Sequence, residues 1–181
     1  MMKIKKISHQ FHIYVSIFLL PMALLFAITG IVYIFGLNQD FGAKKQKWVV
    51  EEVIPQEKQF DFLIDFLLKH HIKLPSDMNP RDYRGALLVG SAKYAITLEV
   101  KNNQTIIQSV QRGLLGNMIM LHKAKAKWYF DILSVAFGIS LVLFYISGVV
   151  MTAFCKNKRK EMALCFLAGL ALTIFLGYLS L

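Results

Sequence analysis

The stretch LLGNMIMLHKAKAKWYFDILSVAFGISLVLFYISGVV, residues 114–150, decides how this chain is read. From Trp128 onward it is an apolar run long enough for a membrane helix, which takes about 20 such residues. Ahead of that run stand His122 and then Lys123, Lys125 and Lys127. Histidine is the commonest metal ligand among side chains, so its place at an apolar boundary raises the question of a role. Helical spacing through Leu115, Met118, Ile119, His122, Ala126, Tyr129 and Leu133 predicts one largely apolar face that includes the histidine. Lys123 and Lys127 fall on another face, where Lys127 can pair with Asp131 four residues on. Trp128 and Tyr129 mark the membrane interface, so His122 is expected about 9 Å outside it at 1.5 Å per residue.

Working outward, two more apolar runs have spanning length, residues 13–37 and 162–181, beside residues 128–154. With 56% hydrophobic and 18% charged residues, the composition is that of an integral membrane protein. The net charge of +10 does not call for nucleic acid. The segment between the first two runs is nearly balanced in charge, and the excess lies beside the apolar runs, where it sets topology. Lys3, Lys5 and Lys6 precede the first run, while Lys156, Lys158, Arg159 and Lys160 join the second to the third. The positive-inside rule therefore places the N-terminus and the 155–161 loop in the cytoplasm, and the central segment and C-terminus outside. The first run is too long for a cleaved signal peptide and reads as a retained anchor. Cys155 and Cys165 lie toward the inner face, where a bridge is not expected.

The segment between the first two runs has room for one small domain. Phe60, Leu63, Ile64, Leu67 and Leu68 behind Pro55 predict an amphipathic helix. RGALLVG (84–90) and KYAITLEV (93–100) read as strands, and KNNQ (101–104) as a turn before TIIQSV (105–110). His70 and His71 close the helix, where a protonated imidazole complements the helix dipole. No phosphate loop, Ser/His/Asp order or metal-spaced acidic cluster is present.

In the first run His9, His12, Ser16, Ala23, Ala27 and Gly30 fall near one face, which suits close approach of a helix or a flat cofactor. Pro21 predicts a kink in mid-span. Cys165, Gly169, Thr173 and Gly177 repeat the small-residue pattern in the third run as a packing stripe. His9 and His12 belong at the inner membrane level and His122 at the outer. Met118, Met120 and His122 could also form a soft copper site, but Met120 points away from the other two in a helix.

These features resemble the PepSY-associated transmembrane helix family, which includes haem-dependent inner-membrane ferric and ferric-siderophore reductases of bacteria. The resemblance rests on His12 in FHIYVSIF (11–18), Thr29-Gly30 in ITG (28–30), Leu121-His122, Gly138, and ISG at 146–148. The helix and hairpin between them are similar to a single PepSY domain. The chain is shorter than the larger reductases, with fewer membrane histidines, and looks most like small members that assist ferrous iron uptake.

The resemblance implies an α-helical membrane protein with three transmembrane helices and a small α+β PepSY-like extracytoplasmic domain. The expected order is a cytoplasmic N-terminus (1–12), a first helix (13–37), the periplasmic domain (38–113), and a helical extension (114–127). A second helix (128–154), the cytoplasmic loop (155–161) and a third helix (162–181) follow. It further implies non-covalent haem b held by His12 or His9 and by His122, with Lys123, Lys125 and Lys127 near haem propionates or an anionic substrate. Electrons would pass from a quinol or cytoplasmic donor to ferric iron or a ferric chelate. Three candidate ligands in one copy cannot complete two bis-histidine haems, so a homodimer is expected. The competing reading is a non-enzymatic membrane adaptor whose outer domain binds a partner.

Overall fold

The computed structural model describes the backbone of residues 2–153 and 159–181, with side chains for residues 10, 12–148 and 160–181. Cys155, Lys156 and Lys158 lie outside the described residues, and the side chains of Lys3, Lys5, Lys6, His9 and Arg159 lie outside the described side chains. Three helices are long and apolar enough to cross a membrane: α1 (Met2–Ile34), α4 (Trp128–Ala153) and α5 (Arg159–Ser180). The spanning windows within them are His12–Ile34, Trp128–Gly148 and Lys160–Ser180.

Between α1 and α4 the chain builds β1 (Lys44–Val50), α2 (Gln59–Lys69), β2 (Arg81–Tyr83), β3 (Ala86–Gly90), β4 (Tyr94–Lys101), β5 (Gln104–Gln111) and α3 (Leu114–His122). The strands form one antiparallel sheet in the order β1-β5-β4-β3-β2. The three apolar strand segments foreseen from the sequence are β3, β4 and β5. Asn102 and Asn103, both at positive φ, form the tight turn between β4 and β5, a conformation asparagine tolerates better than most residues. Two strands were not foreseen. β1 reads KKQKWVV, and its lysines hide the alternation while marking a charged edge strand. β2 is three residues long and fully exposed.

One face of the sheet is covered by α2. The core joins Leu63 and Leu67 of α2 to Val89, Ile96, Leu98 and Ile107 of the strands, all fully buried. Phe60, Phe62 and Phe66 pack around it. Leu68, counted with the apolar face on spacing alone, is exposed instead. Across the sheet, Trp48, Ile107, Leu98 and Leu87 are in register beneath the helix.

The chain divides into two compact units, residues 16–134 and residues 1–15 with 135–181. Within the first, α1 buries Leu19, Met22 and Thr29. The small-residue face predicted for α1 is thus only part of its contact surface, since Ala27 is exposed. α1 runs through Pro21 as one helix. In α5 the stripe of Cys165, Gly169, Thr173 and Gly177 is exposed rather than packed.

Candidate functional site

The 114–150 stretch is not one continuous helical face. α3 stops at His122, and α4 starts at Trp128. The break is a Schellman cap: Ala124 sits at φ 52°, its N–H donates to the Leu121 carbonyl at 3.2 Å, and the Lys125 N–H donates to the Met120 carbonyl at 3.0 Å. Two expectations fail as a result. The face running from Leu115 to Leu133 is cut in two, and Lys127 forms no ion pair with Asp131. Asp131 instead lies in the first turn of α4, where a carboxylate suits the helix dipole, and its Oδ1 has no hydrogen-bond partner among the described residues.

His122 is turned back onto α1 rather than standing clear of the span. Its Nδ1 lies 2.5 Å from the Thr29 Oγ1, and its ring lies against Phe26 with centroids 4.4 Å apart. Thr29 is only 1% exposed and falls inside the apolar span. The histidine therefore lies beside the last turns of the α1 span, rather than clear of it as counting back from Trp128 placed it. The folding back of α3 and the early end of the helix produce this position together.

The Thr29 hydroxyl is also 2.6 Å from the Leu25 carbonyl oxygen, which can only accept. The His122 contact suits either tautomer, Nδ1 accepting the hydroxyl proton, or Nδ1–H donating to the Thr29 oxygen while the hydroxyl bonds Leu25. In the second of these the neutral ring keeps its Nε2 lone pair for another partner, the arrangement by which a second hydrogen bond selects the ligating nitrogen.

His12 lies in the other unit. Its ring meets Phe144 edge to face with centroids 4.7 Å apart, and its Nδ1 is buried with no hydrogen-bond partner among the described residues. A polar nitrogen in that condition is costly unless something outside the chain satisfies it. For His9 only the backbone, within α1, is described. Lys123 donates to Gln39 Oε1 at 3.0 Å and lies over the Tyr33 ring at 4.5 Å, which ties it to the end of α1. Lys125 and Lys127 are exposed.

Met118 and Met120 lie on the intact helix α3, two residues apart and so on different sides, and do not converge with His122. Among the described residues no group of three His, Cys, Asp or Glu side chains is placed to hold a metal ion. Thr29 is the functional candidate that residue-type reasoning passed over. Its signal was the ITG triplet, whose threonine only acquires meaning once α3 folds back. No family model, curated protein or solved structure matches the chain.

Proposed function

We propose that the chain is a haem-containing membrane oxidoreductase, resembling the small PepSY-associated ferric reductases, that delivers electrons to a ferric ion or chelate outside the bacterial inner membrane and so supports ferrous iron uptake. The observation that carries this reading is the contact of the His122 Nδ1 with the buried Thr29 hydroxyl of an apolar span. The buried, unpartnered Nδ1 of His12 supports it. His12 and His122 would hold haem b through their imidazoles, and the haem when bound would supply the one-electron chemistry.

The chain's own part is positioning. Thr29 holds the Nδ1 of His122, and Phe26 restricts the swing of the ring. Phe144 does the same at His12. Lys125 and Lys127 add positive charge beyond the outer site, which favours propionates or an anionic acceptor. In this reading a homodimer completes the ligand sets across its axis, the N-terminus is cytoplasmic, and the sheet domain is PepSY-like and periplasmic. The donor is a quinol or a cytoplasmic reductant.

An absorption spectrum of the detergent-purified protein, oxidised and then reduced with dithionite, tests this beside His122→Ala. Sharp reduced bands that weaken in the variant are expected. A featureless spectrum from protein expressed with ample haem overturns the proposal and leaves the adaptor reading, in which the outer domain is the working part.

A further inference from the structure

The sheet domain contains a site unrelated to the histidines of the spans. α2 is too short to cover the whole sheet. It ends in a second Schellman cap, with His71 at φ 52° and the Ile72 N–H donating to the Leu67 carbonyl at 2.8 Å. Beyond it, the sheet face that elsewhere forms the core is left open. The sequence changes character there. Under α2 the cross-strand row is Trp48, Ile107, Leu98 and Leu87; the next row turns polar only toward β1, where Gln46 lies beside the buried Ser109 while Ile96 and Val89 stay in the core, and the row after it places Lys44 beside Gln111 and Tyr94. Polar side chains on the core-facing side are the mark of a floor that is meant to be wet or liganded.

Over this floor lies a cleft of about 780 Å³, lined by Lys44 and Trp48 of β1 and by His70, His71 and Lys73 at and beyond the end of α2. That volume falls in the range of about 300–1,000 Å³ used for small organic ligands. No acidic side chain lines it. Lys45, also at its edge, pairs at 3.1 Å with Asp40, a carboxylate it shares with Arg112, while Lys44 and Lys73 have no ion pair among the described residues. The Tyr94 hydroxyl donates to the Lys73 carbonyl at 2.9 Å and so fixes the wall to the floor. Burial keeps the phenol protonated above its ordinary range, with a hydrogen bond to Ser109 pulling the other way.

We infer that this cleft binds a small soluble organic anion carrying two or more carboxylates. The unpaired cations come from two different elements, Lys44 on β1 and Lys73 beyond α2, which matches an anion with more than one charged group, and the half-buried Trp48 and Tyr94 in the same lining match an organic body. The cleft occupies the end of the sheet from which the chain leaves for both α1 and α3. The inference does not rest on haem.

Trp48 and Trp128 are the two tryptophans of the chain, so full-length Trp128→Phe protein in zwitterionic detergent reports on the cleft through Trp48 alone. Citrate is expected to change its emission in a saturable way below about 1 mM, with inorganic phosphate weaker. Lys44→Gln with Lys73→Gln should weaken citrate binding by about tenfold or more, while Lys101→Gln, at the far end of β4, leaves it unchanged. Lys44→Glu alone is a second variant and should also weaken it. No saturable response to citrate, an equal response to phosphate, or equal loss with Lys101→Gln overturns the inference. So does a response confined to vesicles of anionic lipid, which would make the cleft a headgroup contact.

Discussion

Thr29 shows how much one hydroxyl can decide. A threonine in a helix bonds the carbonyl four residues back, and here the same hydroxyl also meets the His122 Nδ1. Thr29→Val keeps the shape and removes the hydroxyl, leaving a half-buried ring nitrogen without its partner at a cost of about 1–3 kcal/mol. On the proposed function, haem affinity should fall about 10–100-fold, the usual loss when the partner of a ligating histidine is removed. Thr29→Ser should restore it. The check is haem titration of the purified variants together with their reduced spectra, and a Val variant that binds haem like the parent would remove Thr29 from the site. Lys123, the third lysine of the same cluster, is exposed and held by Gln39 and Tyr33 at the end of α1.

At the scale of elements, helix ends position everything of interest. Three helices finish with the same pair of backbone hydrogen bonds and a left-handed residue: Gly36 after α1, His71 after α2 and Ala124 after α3. Gly36 could be anticipated, because glycine adopts that conformation without cost. His71 and Ala124 could not, because histidine and alanine carry no such preference strong enough to read. These two ends open the cleft and turn His122 toward α1. Gly116 seats α3 by a close approach, since a Cβ there would collide with the Gln39 carbonyl oxygen. Gly116→Ala should therefore destabilise the 16–134 unit by about 1–3 kcal/mol, the usual cost of overpacking, and loosen the His122 contact. Thermal unfolding measures the first effect, and the second should appear as weaker haem binding than Gly113→Ala, where the added methyl meets open space. Leu63, fully buried at the centre of α2, should cost about 2–5 kcal/mol when changed to alanine, read as a lowered unfolding midpoint of the sheet domain.

For the molecule as a whole, α4 and α5 present large apolar side chains outward along most of their length. In water such surfaces would drive aggregation, whereas in a bilayer they are solvated by lipid tails. The odd number of candidate ligands, His9, His12 and His122, makes the oligomeric state the decisive property of the assembly. On the proposed function, haem-loaded protein should have the mass of a dimer when light scattering is corrected for bound detergent. A strictly monomeric haem-loaded protein contradicts the paired-ligand arrangement.

The three apolar helices, the amphipathic α2 and the β3–β5 strands were determined by the sequence itself, because hydrophobic length and period act locally and need no partner. The candidate histidines His12 and His122 were legible by type for the same reason. What surrounds them was decided only by tertiary structure. Thr29 and His122 are far apart along the chain, and their meeting depends on the Ala124 cap. β1 became a strand because β5 offered it a full row of backbone partners, despite its lysines. The cleft exists because α2 is shorter than the sheet it covers, a relation between two elements that neither one encodes alone.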